Sequence, residues 1–194
     1  MNTKLYVAEI ISETIQTFSR CLADSDLQNS ISNAALVMLT ALSNNNKIML
    51  IGNGGSAADC QHIAAELVGR FCTDRPGLPA IALTTDTSIL TSVANDYGYD
   101  QVFSRQLLAI GNPGDVLMAF STSGTSANIL NAIAAAKVSE ITTIALTGSK
   151  DSPMATLSDI VIKVPDTRTA FIQQVHITIG HALCGIIEKS MFSN

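Results

Sequence analysis

Two ionisable side chains, His62 and Glu66, stand four residues apart in a segment that is otherwise rich in apolar residues. On a helix this spacing puts both side chains on one face, one turn apart. Because an isolated charge is costly to bury, such a pair usually has a partner, a metal ion or a catalytic task. The alternative from the pattern alone is a surface hydrogen bond worth only about 0.2–0.5 kcal/mol.

The last apolar stretch of the chain carries three more polar side chains, Gln173, His176 and His181. His176 is expected to fill a polar niche in the packing. His181 is flanked by the small residues Gly180 and Ala182 and is more suggestive of a task. A core histidine fits its pattern equally well.

Residues 121 to 126, STSGTS, place five hydroxyl groups and a glycine before a helical segment. Hydroxyl groups and the free N–H groups of a helix N-terminus both donate to phosphate oxygens, and neither needs a charge to do so. Two or three serines would be explained by helix capping alone. Five hydroxyls exceed that need, so this loop is predicted to bind a phosphate.

A similar junction occurs earlier, in residues 47 to 70, KIMLIGNGGSAADCQHIAAELVGR. The apolar run Ile48 to Ile51 predicts a buried strand, the glycines that follow predict a turn, and Ser56 is placed to cap the next helix. The junction predicts an anion site, with an ordinary tight turn as the alternative. GNGGS is neither GxGxxG nor GxxxxGK[ST], which favours a small monophosphate over a nucleotide.

These motifs lie in a regular alternation of strands and helices. Apolar runs predict strands at 48–51, 80–83, 116–120, 142–146 and 160–164, with helical patterns between them. The expected fold is an α/β, flavodoxin-like doubly wound, five-stranded parallel sheet with helices on both faces, preceded by two N-terminal helices. We expect a single domain over 1–194, divided into a helical pair (1–46), the sheet core (47–168) and a C-terminal helix (169–194).

Composition narrows the possible partners. Of 194 residues 47% are apolar and only 14% are charged, which favours burial of helix faces in an oligomer. The net charge of −5 argues against nucleic acid, and no apolar run reaches the roughly 18 residues of a membrane span. The four cysteines are scattered without a CxxC pair, as in reduced proteins. A cytoplasmic location without a membrane partner is therefore expected.

Four stretches resemble one known family: GNGGSAADCQHIAAELVGR, AND at 94–96, STSGTSANILNAI and IQQVHITIGH. They occur in the order and spacing of the sedoheptulose-7-phosphate isomerases, or phosphoheptose isomerases, which belong to the SIS (sugar isomerase) domain class. The resemblance runs over nearly the whole chain. It implies conversion of sedoheptulose 7-phosphate to D-glycero-D-manno-heptose 7-phosphate, an early step towards the heptose of lipopolysaccharide. It also implies a homotetramer with active sites at subunit contacts and a bound zinc.

The resemblance assigns roles position by position. Glu66 and His181 match the catalytic acid/base pair. The metal ligands would be His62, Glu66, Gln173 and His181. The substrate-binding positions would be Asn53, Gly54, Gly55, Glu66, Asn95, Asp96, Ser121, Thr122, Ser123, Ser126 and Gln173. One departure is Phe171, where relatives commonly have an arginine, and Arg168 is the nearest basic residue that could replace it.

The residue types suit an isomerisation through an enediol, which needs a base at carbon and acid/base help at the oxygens. The spacing of Gln173 and His181 is awkward, since eight residues of straight helix span about 12 Å. Either the first turn of that helix is distorted, or the ligands come from two subunits. The rival function is a non-catalytic SIS module that binds a replication initiator or another protein; such relatives lack the glutamate and the second histidine.

Overall fold

The chain folds around one five-stranded parallel sheet in the structure, a computed structural model that describes residues 1–192. The strands are β1 (Ile48–Gly52), β2 (Ala80–Ala82), β3 (Val116–Phe120), β4 (Thr142–Thr147) and β5 (Ile160–Lys163). They pair in the order β2-β1-β3-β4-β5, all parallel. The predicted fold class is confirmed, with each strand within a residue or so of its apolar run.

Helices cover both faces of this sheet. They are α1 (Thr3–Ala23), α2 (Ser25–Ser43), α3 (Gly55–Val68), α4 (Thr87–Tyr97), α5 (Val102–Ile110), α6 (Ala127–Val138), α7 (Pro153–Leu157) and α8 (Thr169–Phe192). The predicted N-terminal pair is present, separated by Asp24, whose carboxylate accepts hydrogen bonds from the first turn of α2. The predicted C-terminal helix is present up to Phe192, and residues 193 and 194 of that prediction lie outside the described residues.

Side chains of the inner strands β1, β3 and β4 alternate between two hydrophobic clusters. On β1, Ile48 and Leu50 face the cluster formed with α2, α3 and α8, while Met49 and Ile51 face the cluster formed with α5 and α6. All four are fully buried. A strand covered on both faces needs apolar residues at every position, which is why the sequence shows continuous apolar runs rather than alternation.

The last helix, α8, is long and apolar enough to cross a membrane by length and composition, with a mean hydropathy of 1.4 over its best window. Half of that window is nevertheless buried inside the fold. Four of its side chains pack in the hydrophobic cluster between the sheet, α2 and α3, namely Ile172, Val175, Ile179 and Leu183. α8 is therefore accounted for as a core helix.

The strand order changes direction between β1 and β3, because β2 lies on one side of β1 and β3 on the other. Loops that follow two such strands lie side by side at the carboxyl edge of the sheet, where flavodoxin-like folds bind ligands. The loop after β1 holds the glycine motif and the loop after β3 holds the hydroxyl motif. The fold thus brings the two predicted anion sites together.

The predicted cap of α3 is wrong. Gly54, with φ of 57°, precedes the first turn, and no side chain caps it. Ser56 lies inside the helix and is buried. The left-handed conformation of Gly54 lets the helix begin at Gly55, before the serine. No side chain therefore occupies this helix N-terminus, where the Ser56 and Ala57 N–H groups donate to the carbonyls of Asn53 and Gly54.

Candidate active site

Three of the predicted residues meet between α3 and α8. Nε2 of His62 lies 3.1 Å from Nε2 of His181 and 3.3 Å from Oε1 of Glu66. One ligand atom from each of the three residues lies within 4.8 Å of the others. The side chain of His62 is 49% exposed and that of Glu66 is 25% exposed, so the cluster opens to solvent.

A glycine allows the two helices to approach this closely. Gly180, directly before His181, faces the side chain of Ile63, directly after His62. A Cβ at Gly180 would collide with Cδ1 of Ile63 and lie 2.7 Å from its Cγ1. The absence of that Cβ is what lets the imidazole rings of His62 and His181 come within 4.9 Å, centroid to centroid.

The cluster fits a divalent transition metal. Two imidazole nitrogens and a carboxylate oxygen are ligands that zinc prefers. Ligands about 2.0–2.1 Å from a tetrahedral zinc stand roughly 3.3 Å apart. The separations of 3.1 and 3.3 Å around Nε2 of His62 match that spacing.

The fourth predicted ligand, Gln173, lies elsewhere. Its amide covers Gly55 at the start of α3, where a Cβ would stand 2.8 Å from Nε2 of Gln173. Helix α8 is continuous from Thr169 to Phe192, so the distorted first turn that was one alternative is absent from the described chain. Because about 12 Å of helix separates Gln173 from His181, the second alternative, a ligand from another subunit, stays a prediction.

The two remaining polar groups near this helix pair behave differently. His176 is fully buried with Nε2 3.4 Å from the Thr147 carbonyl, and burial lowers its pKa to about 4. It is a neutral packing residue, as predicted. Asp59, one turn before His62, has a buried Oδ2 without a hydrogen-bond partner among the described residues. Burial raises the pKa of Asp59, partly offset by His62.

Asn53 of the glycine loop is held by two residues, Asn128 and Tyr99, that the sequence motifs do not predict. Its amide exchanges hydrogen bonds with that of Asn128, at 3.0 and 2.9 Å, and Tyr99 Oη donates to its Oδ1 at 3.3 Å. Asn128 is buried in the first turn of α6. This pair joins the loop after β1 to the helix after β3, so the two loops form one site.

The hydroxyl loop is ordered largely by its own groups. Ser121 Oγ accepts from the Gly124 N–H at 3.1 Å, and Ser123 Oγ lies 3.0 Å from Thr125 Oγ1. Thr122 Oγ1 lies 3.4 Å from the hydroxyl of Thr169, the first residue of α8. Ser126 precedes α6 without a side-chain capping bond. Its hydroxyl is therefore available to a ligand.

Asn95 and Asp96 are exposed in the last turn of α4, which extends to Tyr97. The only side-chain hydrogen bond that either makes within residues 1–192 joins the two, at 2.8 Å. Within the described residues neither is hydrogen-bonded to the three clustered residues. Two residues beyond α4, Tyr99 connects this region to Asn53.

Arg168, the candidate to replace an arginine at position 171, is bonded to other groups within the subunit. Its guanidinium donates to Asp166 and, at 2.6 Å, to Glu13 of α1. It also lies over the ring of Phe171, 4.0 Å from the centroid, and that ring is buried. The carboxylate of Asp166 raises the pKa of Arg168. The guanidinium is thus committed to fastening α1 to the loop before α8.

Sequence reasoning also missed Phe71, whose ring stacks on His181 with centroids 5.7 Å apart and an angle of 27°. Neither Phe71 nor Tyr99 nor Asn128 belongs to a periodic or glycine-rich pattern. An available signal was position, since Asn128 directly follows the STSGTSA run and Phe71 comes three residues after the end of α3.

Comparison with known proteins places this fold and site in a class. Residues 11–148 match the SIS domain family. A phosphoheptose isomerase from Burkholderia pseudomallei is 48% identical over 187 residues, covering 96% of this chain and 95% of the relative. The chain therefore belongs to the phosphoheptose isomerase family.

Solved structures agree. The phosphoheptose isomerase of Neisseria gonorrhoeae superimposes with a TM-score of 0.91 at 43% identity, over 97% of this chain and all of that one. The enzyme from Francisella tularensis gives a TM-score of 0.93 at 38% identity, with the same coverage. The resemblance seen in the four sequence motifs is thereby confirmed.

Proposed function

We propose that the protein converts sedoheptulose 7-phosphate to D-glycero-D-manno-heptose 7-phosphate, for heptose and lipopolysaccharide precursor synthesis. The observation that carries this is the cluster of Glu66, His62 and His181 in a chain of the phosphoheptose isomerase family. A carboxylate beside imidazoles can move protons at carbon and at oxygen. A purely protein-binding SIS module has no need of that cluster.

Each residue then has a defined task. Glu66 takes the proton from one carbon and returns it to its neighbour through an enediol, while His181 transfers the proton between the two oxygens. The hydroxyls of Ser121, Thr122, Ser123 and Ser126, with the N–H groups that open α6, receive the phosphate. The sugar hydroxyls are left to Asn53, Gly54, Gly55, Asn95, Asp96 and Gln173.

We assign zinc to the cluster, one ion per subunit, held by His62, Glu66 and His181 and completed by Gln173. When bound, it would polarise the substrate carbonyl and stabilise negative charge on its oxygen. An amide oxygen is a weak zinc donor, so partial occupancy is expected.

The unpartnered face of α1 supports a homo-oligomer, which we take to be a tetramer with shared sites. Val7, Ile11 and Ile15 recur every four residues on α1 and are each more than half exposed. Of the whole helix only Thr17 is buried within the subunit. We further propose that all elements act as one SIS domain and that the reaction takes place in the cytoplasm.

The activity is tested by incubating the purified protein with sedoheptulose 7-phosphate and following the sugar by NMR, with and without a chelator. We expect the heptose 7-phosphate to form, and formation to slow after chelation and recover with zinc. A parallel incubation with a five- or six-carbon ketose phosphate measures chain-length preference. Turnover of only the shorter substrate would refute the proposed reaction while leaving isomerase chemistry intact.

Sharing of the site is tested by mixing inactive variants under subunit exchange. Glu66 and His181 cluster within one chain, so a mixture of Glu66→Gln with His181→Ala should stay inactive. A mixture of Glu66→Gln with Gln173→Ala should regain activity, because some sites pair a wild-type cluster with a wild-type Gln173 of a neighbour. No recovery in the second mixture, with exchange verified by mass spectrometry, would assign Gln173 to its own chain.

A further inference from the structure

A buried ion pair contacts both helices that carry the cluster, α3 and α8. Arg75, in the loop after α3, donates from Nε to Oε2 of Glu188 on α8 at 3.2 Å, and their side chains are 2% and 4% exposed. Burying two charges is costly unless their remaining groups are also hydrogen-bonded. Here they are. Glu188 accepts from the N–H groups of Phe71, Cys72 and Thr73 at 2.9–3.0 Å.

Arg75 connects this pair to α3. Its guanidinium donates at 2.8 Å to the carbonyls of both Glu66 and Leu67, in the last turn of that helix. Those carbonyls have no partner within the helix, and a cation there also complements the helix dipole. One of the two carbonyls belongs to the catalytic Glu66 itself.

Glu188 connects the pair to His181. The two residues are seven apart on α8, which is close to two full turns, so both side chains leave the same face. The backbone N–H of Phe71 donates a hydrogen bond to Glu188, and the ring of Phe71 stacks on His181. Glu188 therefore also fixes the position of that ring. Gly185 leaves room for that ring, since a Cβ there would lie 3.3 Å from Cε1 of Phe71. The imidazole of His181 is thus held between Phe71 and His62.

We propose that Arg75 and Glu188 are positioning residues of the active site, which fix Glu66 relative to His181 and hold Phe71 against the His181 ring. This inference rests on the proposed roles of Glu66 and His181. Burial alone would raise the pKa of Glu188, but the three backbone N–H groups outweigh it and lower the pKa to about 2. The carboxylate is accordingly charged at neutral pH and keeps its partners.

Three variants separate positioning from stability. Glu188→Gln keeps the shape and removes the charge, and Phe71→Leu removes the stacked ring but leaves the ion pair. Asp115→Asn is the matched control, since Asp115 is equally buried, accepts from Lys47 Nζ at 2.6 Å and sits at the amino end of β3, away from the site. The readouts are the ring NMR signals of the three histidines, kcat, KM and the melting temperature.

We expect Glu188→Gln and Phe71→Leu to move the His181 signal, which feels the ring current of Phe71, and to leave the His176 signal in place. Because small displacements of catalytic groups can cost about 100-fold, kcat should fall roughly 10- to 100-fold. KM should change less, since the phosphate loop is not involved. Asp115→Asn should lower only the melting temperature.

Two results would overturn the proposal. One is a lower melting temperature for Glu188→Gln with an unmoved His181 signal and unchanged kcat; the other is an unchanged signal in Phe71→Leu. If Glu188→Gln does not fold, Phe71→Leu decides alone. If the wild-type protein fails to turn over sedoheptulose 7-phosphate, the proposed function is refuted, and the histidine signals still decide whether Phe71 and Glu188 hold the ring.

Discussion

Glu66 places a carboxylate oxygen 3.3 Å from an imidazole nitrogen, on a helix whose buried residues other than Ser56 are apolar. Its sequence pattern was equally compatible with a surface hydrogen bond to His62. His181 distinguishes a functional pair from a surface hydrogen bond. It lies on another helix, 115 residues after Glu66 in the sequence, and its Nε2 is 3.1 Å from that of His62. A third ionisable group at the same point is not needed for helix stability, so the cluster indicates chemistry.

Replacement of Glu66 by glutamine should abolish turnover. The amide keeps the shape and the contact with His62 but cannot accept a proton, and general base catalysis contributes about 10²- to 10⁴-fold. The measurement is kcat with sedoheptulose 7-phosphate, with melting temperature and oligomeric state unchanged. Glu140→Gln, an exposed carboxylate after α6, serves as control. Near wild-type kcat in Glu66→Gln would remove Glu66 from the mechanism.

At the scale of secondary structure, the capping of the helix N-termini is the feature that bears on ligand binding. The N-termini of α3, α5 and α6 lack side-chain caps, whereas α1, α2, α4 and α7 are capped by Asn2, Asp24, Asp86 and Ser152. Two of these three helices, α3 and α6, follow β1 and β3, the strands at the point where the sheet order changes. Two helix N-termini without a capping side chain therefore lie where the fold predicts a ligand.

Removal of two hydroxyls from the loop before α6 should raise KM more than it lowers kcat. In Ser121→Ala with Ser126→Ala, two donors to a charged phosphate are lost, at about tenfold in affinity each. Ser139→Ala, at the opposite end of α6, is the control. Steady-state kinetics separate the two constants. A fall in kcat at constant KM would assign the loop to the chemical step instead.

At the scale of the whole molecule, α1 is attached by few groups. Asp166 accepts from Thr17 and Arg20 of α1 at 2.9 and 2.7 Å, and from Arg168. The Arg168 side chain, followed by backbone N–H groups and Thr17, holds the pKa of Asp166 well below its usual range, although burial opposes this. One carboxylate thus fastens the helix that carries the exposed apolar stripe.

Acid should therefore weaken the attachment of α1. A carboxyl with a depressed folded pKa stabilises the fold above its unfolded pKa of about 3.9, and this contribution is lost as pH falls through the folded value. We expect the free energy of unfolding, from urea titrations between pH 7 and pH 3, to fall below about pH 4. In Asp166→Asn the free energy of unfolding should be lower at pH 7 and should change less between pH 7 and pH 3. The control Asp74→Asn, at an exposed position, should match the wild type in both respects. If the free energy of unfolding of Asp166→Asn fell with pH as steeply as that of the wild type, this role of Asp166 would be contradicted.

The sequence alone determined the fold class, and it predicted that the glycine and hydroxyl loops lie at one edge of the sheet. Apolar runs define buried parallel strands because both faces of the sheet are covered, and glycine or hydroxyl motifs after such runs must lie at one edge of the sheet. These are local patterns with a fixed geometric consequence. The family motifs added roles to particular residues for the same reason, since they recur at fixed spacing.

Only the tertiary structure decided which of these residues meet. It joined His62 and Glu66 to His181, placed Gln173 over Gly55 instead, and brought in Phe71, Asn128 and the Arg75–Glu188 pair. Contacts between helices distant in sequence depend on packing, here on the missing Cβ of Gly180 beside Ile63. No local pattern records that approach, because the glycine and the isoleucine lie 117 residues apart.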